Sequence, residues 1–138
     1  MRAVVDTNVF VSSFFGGIPW KVMDLWKEQK ITLCLSRSIL DEYVEVLRTL
    51  GLGAGEELRE VIGLFGRNYN LLFTVKAPKH AVVKDDPGVD KFIECAVALK
   101  ADAIITGDRP LKAVGEYQGI AILSPAQFLD QIAGNRAG

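Results

Sequence analysis

Met1-Arg2-Ala3-Val4-Val5-Asp6-Thr7-Asn8 sets an apolar run directly against a carboxylate, a hydroxyl and an amide. Arg2 to Val5 has no polar alternation, the pattern of a strand covered on both faces. The same unit recurs at Ala103-Ile104-Ile105-Thr106-Gly107-Asp108, again an apolar strand ending on a hydroxyl and a carboxylate. Between them the chain alternates. After a turn containing Phe14, Phe15, Gly16 and Gly17, Pro19 opens a helix, as proline does at a first helical position. Ile31 to Leu35 reads as a second strand, and Ser36 as the N-cap of the helix that follows. Ile39, Leu40, Tyr43, Val46, Leu47 and Leu50 give that helix its apolar stripe. Leu58, Val61, Ile62 and Phe65 mark another helix, and Leu71 to Val75 a third strand. A helix from Asp90 to Lys100, the strand at 103–106, a short helix from Pro110 to Val114 and a strand from Ile120 to Leu123 complete the alternation. Ser124-Pro125 then opens a last helix through Phe128, Leu129 and Ile132. Strands and helices in turn predict an α/β fold, a three-layer α/β/α sandwich on a mainly parallel five-stranded sheet. No linker or repeat interrupts it, so residues 1–138 are expected to form one domain.

The composition limits the chemistry. The chain of 138 residues is 49% hydrophobic and 24% charged, which excludes disorder. No apolar run approaches the roughly 18 residues of a membrane span. Asp6 comes too early for a signal-peptide core, so a cytoplasmic location without membrane attachment is expected. The net charge of −1 supplies no general field for a polyanion, so a nucleic-acid ligand needs a local basic rim or a bound cation. The single histidine, His80, sits in a proline-broken stretch and reads as an exposed loop residue. It leaves no room for a two-histidine ribonuclease mechanism. Cys34 and Cys95 lack CxxC spacing and read as reduced core residues.

In parallel sheets ligands bind beyond the carboxyl ends of the strands. If strands one and four are neighbours, Asp6 and Asp108 share that edge with Glu42 and with Asp90 at the head of its helix. Singly, each has a plain structural reading. Asp6 and Asp108 cap turns, Asp41 and Glu42 are solvated helix residues, and Asp90 favours its helix N-terminus. Together, four carboxylates in one crevice repel each other unless a cation joins them.

The blocks that carry these acids resemble the PIN-domain nucleases. Val4-Val5-Asp6-Thr7-Asn8-Val9 is similar to the opening of that family, and Ser36-Arg37-Ser38-Ile39-Leu40-Asp41-Glu42-Tyr43 to its second acidic block. Asp90-Lys91-Phe92-Ile93-Glu94-Cys95-Ala96 resembles the third, and Ala101 to Asp108 the fourth, with its aspartate eighteen positions after Asp90. The resemblance runs from Arg2 to Phe128. It implies a Rossmann-like sheet in the order 3-2-1-4-5 and a ribonuclease dependent on Mg²⁺ or Mn²⁺, with Asp6, Glu42, Asp90 and Asp108 as the metal-binding and catalytic acids. Thr7, Asn8 and Thr106 would support them, and many relatives are toxins paired with an antitoxin protein. The chain departs from the pattern at Val89, where relatives often carry another aspartate.

Hard oxygen donors suit Mg²⁺ or Mn²⁺ on independent grounds. Arg109, Lys112 and Lys91 are the candidates for holding RNA phosphates, with Lys21 and Lys84 further along the rim. The glycines of Gly51-Leu52-Gly53-Ala54-Gly55 lack the lysine and the strand of a phosphate loop, and read as a flexible loop between two helices. A receiver domain would need an aspartate after the third strand, where Lys76-Ala77-Pro78 stand. A PIN scaffold that binds RNA or a protein without cutting is the remaining alternative. Trp20, Met23 and Trp26 read as core, with an exposed part available to a homodimer.

Overall fold

The computed structural model describes residues 1–51, 55–83 and 87–137, so Leu52, Gly53 and Ala54 of the predicted loop, together with Lys84, Asp85 and Asp86, lie outside the described residues. The elements run β1 (Arg2–Val5), α1 (Thr7–Ser12), a 3₁₀ turn (Ser13–Phe15), α2 (Gly17–Lys27), β2 (Thr32–Ser36), α3 (Arg37–Thr49), α4 (Glu56–Gly66) and β3 (Leu71–Thr74). After a second 3₁₀ turn (Pro87–Val89) come α5 (Asp90–Ala98), β4 (Ala103–Ile105), α6 (Arg109–Val114), β5 (Glu116–Tyr117), β6 (Ile120–Leu123) and α7 (Pro125–Ala137).

The sheet order is β3-β2-β1-β4-β6-β5. Every pair is parallel except β5 with β6. This is the expected order with one addition at the edge. The sixth strand, Glu116–Tyr117, returns through Gln118 and Gly119, both at positive φ (51° and 83°), as a two-residue hairpin requires. Two residues are too short to show an alternating pattern, which is why five strands are read from the sequence.

Consecutive residues of a strand point to opposite faces. In β1, Ala3, Val4 and Val5 are all buried, as are Leu33, Cys34 and Leu35 in β2 and all of β4, so helices cover both faces. Cys34 and Cys95 are free and buried. Burial pushes their thiols up to about 11 and about 12, so both remain protonated core residues.

Three expectations change in detail. The stretch after β1 is a helix, α1, and α2 begins at Gly17, before Pro19. His80 is half-buried rather than an exposed loop residue; its Nδ1 lies 3.0 Å from the Tyr117 hydroxyl, and its N–H donates to Glu94 Oε2 at 2.9 Å. The tryptophan stripe divides. Trp26 is fully buried and donates from Nε1 to the carbonyls of Tyr69 and Asn70, each at 3.2 Å, whereas Trp20 is 45% exposed. An aromatic cluster ties α1 to α3 and α4. Phe10 stacks on Tyr43 at 4.0 Å and lies 6.1 Å from Phe65, with Phe14 edge-on at 5.4 Å.

Candidate active site

Val5 ends β1 deep in the sheet, and the next residue caps the helix that leaves it. Asp6 is 3% exposed. Its N–H donates to the Ile105 carbonyl at 3.0 Å, continuing the β1–β4 ladder by one residue. Its Oδ1 accepts the N–H of Asn8 at 2.7 Å, which caps α1. Its Oδ2 accepts the hydroxyl of Thr106 at 2.5 Å, across one hundred positions of sequence. The same Thr106 oxygen accepts the N–H of Asp108 at 3.0 Å, and Asp108 Oδ2 caps α6 by accepting the N–H of Leu111 at 3.0 Å. One buried threonine therefore joins the two strand-exit aspartates. The plain reading of both as caps is also correct, and it does not compete with a functional one. Capping each occupies one oxygen and fixes the carboxylate at the sheet's carboxyl edge.

Glu42 reaches the same neighbourhood from α3. Burial is the main cause that raises the Asp6 pKa above its ordinary 3.8. The bonds from Thr106 and Asn8 oppose the rise, and the charges of Asp108 and Glu42 add to it. Glu42 itself receives the ammonium of Lys91 through Oε2. Tyr43, the next residue, is fully buried and donates its hydroxyl to the Val5 carbonyl, anchoring α3 to the end of β1. Burial holds its pKa well above 10, helped by the charges of Asp6 and Glu42. The apolar stripe predicts Tyr43 as core, but only the three-dimensional structure discloses the partner of its hydroxyl.

Asp90 comes from the start of α5. It is buried in the first turn of α5, and its Oδ1 accepts the N–H groups of Val82 at 3.3 Å and Val83 at 2.9 Å. Its neighbour Lys91 brings α5 to Glu42. Of the predicted supporting groups, Thr7 is buried and its Oγ1 has no partner among the described residues. Asn8 contributes its backbone N–H while its side chain is exposed, and Thr106 forms the bridge. Arg109 is exposed at the start of α6, and Lys112 is half-buried in its last turn.

Among the described residues no three His, Cys, Asp or Glu side chains are close enough to hold a metal ion as they stand. The carboxylates share a field rather than a ready-made shell. The donor chemistry nevertheless fits a hard divalent cation. The donors are carboxylate oxygens, the hydroxyl of Thr7, next to Asp6 in the chain, is buried without a partner among the described residues, and the like charges that raise Asp6 are those a cation would relieve.

The raised Asp6 pKa has a measurable consequence. A carboxyl that binds its proton more tightly folded than unfolded destabilises the fold when ionised. That cost is full above the folded-state pKa and disappears as pH falls toward 3.8. In EDTA, the stability of the parent relative to Asp6→Asn is therefore expected to rise as pH is lowered from neutral. Asparagine still caps α1 but cannot also accept the Thr106 hydroxyl, a loss that does not depend on this titration, so the pH dependence of the difference reports the charge. Paired thermal melts across pH test it, and a difference independent of pH would contradict a raised pKa.

Comparison with known proteins adds to this geometry. A family model described as a PIN domain matches residues 2–110. A protein of Methanocaldococcus jannaschii, described as uncharacterized, is 34% identical over 121 residues, covering 80% of this chain and 73% of the relative. No solved structure matches the chain significantly. No helix among the described residues is long and apolar enough to cross a membrane.

Proposed function

Because this chain belongs to the PIN-domain family, we propose that it is a metal-dependent ribonuclease that hydrolyses single-stranded RNA. The observation that carries the reading is the Thr106 bridge between Asp6 and Asp108, with Glu42 in the same field. Asp6, Glu42, Asp90 and Asp108 are the residues proposed to hold Mg²⁺ or Mn²⁺. Such an ion, when bound, supplies neutralisation of phosphate charge and a water of lowered pKa.

The chain's own residues do the rest. Thr106 holds the Asp6 carboxylate and the Asp108 backbone N–H, and the cap to Leu111 holds the Asp108 carboxylate, so both acids are ordered before substrate arrives. The caps on α1 and α6 keep both side chains from swinging into the sheet edge. Lys91 neutralises Glu42 and keeps that carboxylate turned toward α5. Arg109 and Lys112, on the helix after Asp108, are the residues proposed to meet phosphates on that flank. The scheme calls on no imidazole, and the chain's one histidine has its Nδ1 on the Tyr117 hydroxyl.

Incubation of single-stranded RNA with Mn²⁺ or Mg²⁺ is expected to yield fragments with 5′-phosphate and 3′-hydroxyl ends, and EDTA to stop the reaction. A 2′,3′-cyclic phosphate product, or full activity in EDTA, would rule this mechanism out. RNA binding without cleavage under every metal condition would identify a scaffold instead.

The proposal extends to a cytoplasmic toxin restrained by an antitoxin protein, and to a homodimer. Two features support a protein partner. Phe15, Ile18 and Trp20 are exposed around the turn into α2, and an apolar cavity of about 560 Å³ lies between α3 and α4, lined by Leu40, Val44, Leu47 and Ile62.

A further inference from the structure

The mouth at the carboxyl edge of the sheet carries its unpaired lysines to one side of the strand-exit aspartates. Over β1 and β4 it carries Asp6 and Asp108. Over β2 and β3, the chain leaves through Ser36 into α3 and through Thr74 into the stretch 75–80. Between those exits and α5 lie two adjoining openings of about 300 Å³ each, which share Ser38, Lys79, Lys91 and Glu94. One is also lined by His80 and by Asp90 of the acidic centre, and the other by Ser36 and Lys76. Lys91 belongs to both openings and to Glu42, so they adjoin the acidic centre.

We propose that this groove is the track for the phosphate backbone of single-stranded RNA entering or leaving the acidic centre, with Lys76 and Lys79 as its phosphate-binding residues. The inference rests on the ribonuclease reading and extends it to the path of the substrate. Three observations carry it. Lys76 and Lys79 are exposed and have no ion-pair partner among the described residues, so their charge is available to a ligand. Glu94, the carboxylate common to both openings, accepts the N–H of His80, which occupies one of its oxygens. The thirteen-residue helix α3 begins in the groove with Ser36 and Ser38 and has no acid in its first turn, so its positive end adds to the lysines. A chain with net charge −1 thereby holds a polyanion locally, on the half of the mouth that lacks the strand-exit aspartates.

The test uses the full chain with Asp108→Asn, so that RNA is bound and not consumed. Affinity for a fluorescent single-stranded RNA is measured by anisotropy across roughly 50–200 mM salt, because each phosphate contact on a single strand contributes about 0.7 to the slope of log K against log salt. Lys76→Gln with Lys79→Gln is expected to weaken binding about tenfold and to flatten the slope by about 1.4. Arg59→Gln with Arg67→Gln, exposed charges on and just beyond α4, is expected to change neither. Melting curves that superimpose exclude a folding defect in either double variant. If the lysine pair binds with the parent slope and affinity while unmutated protein still cuts RNA, the groove is not the track and the ribonuclease reading stands. Equal losses in the lysine and arginine pairs would also overturn the groove. If unmutated protein neither binds nor cuts RNA in Mn²⁺, the functional reading fails and the groove with it.

Discussion

Asp108→Asn is expected to lower RNA cleavage by roughly 100-fold or more, the scale on which a phosphoryl-transfer site loses one of its charged groups. The same change is expected to leave the metal-free fold at least as stable as the parent. Two features of the structure lead there. Asp108 caps α6 through the N–H of Leu111, and asparagine caps a helix about as well as aspartate. The Asp108 charge also pushes up the pKa of buried Asp6, so removing it relieves repulsion within the fold. Asp108→Ala separates the two roles. It removes the cap as well and is expected to cost about 1 kcal/mol. Thermal melts in EDTA and in millimolar Mn²⁺, beside a cleavage assay, distinguish the outcomes. Mn²⁺ should raise the melting temperature of the parent more than that of Asp108→Asn, because a ligand bound only to the native state stabilises it by mass action. An asparagine variant melting well below the parent in EDTA would mean that the carboxylate is needed for the fold itself.

Phe10→Ala is expected to cost about 3–5 kcal/mol, a large fraction of the roughly 5–15 kcal/mol that holds a domain together. Phe10 is buried, stacks face to face on Tyr43 and also touches Phe14 and Phe65. Its loss leaves a cavity where α1 meets α3. Asp6 caps the first of these helices and Glu42 sits on the second, so the cavity loosens the packing that relates them. A fall in melting temperature of roughly 10–20 °C is expected. Cleavage should drop even at temperatures where the variant is folded, because the spacing between Asp6 and Glu42 is no longer held. Phe10→Leu keeps most of the volume and should lose less than half as much stability. A Phe10→Ala protein that melts within a few degrees of the parent would show that the cluster closes up around the gap.

The parts of the molecule legible in the sequence are those governed by short-range patterning. The apolar runs at Arg2–Val5 and Ala103–Ile105 declare buried parallel strands because no residue in either run except Arg2 would tolerate a wet face. The Ser36 cap is legible for a similar reason, since its partner is only three positions away. Thr106 stands next to an evident strand end, so a supporting role is readable, but its simultaneous hold on Asp6 and on the N–H of Asp108 is not. That arrangement depends on β1 and β4 being in register, Val5 beside Ile105. Lys91 is harder still. On sequence it is one of several cations near the acids, and only the packing of α5 against α3 selects Glu42 as its partner. His80 and Tyr117 are thirty-seven positions apart, and nothing local to either announces the contact. Lys76 and Lys79 sit in a stretch whose composition suggests only a solvated loop.

The Thr106–Asp6 bond also orders events in time. The ribosome makes the chain from its N-terminus at about 5–20 residues per second, so Thr106 follows Asp6 by roughly 5–20 s. Until then β1 lacks its β4 neighbour, and Asp6 has neither the Thr106 hydroxyl nor the Ile105 carbonyl beside it. Half of the acidic centre is therefore missing from every partial chain that has not yet passed Asp108, however well its first helices have formed. A protein that cuts RNA would thus lack a complete acidic centre until Thr106 and Asp108 have both been added.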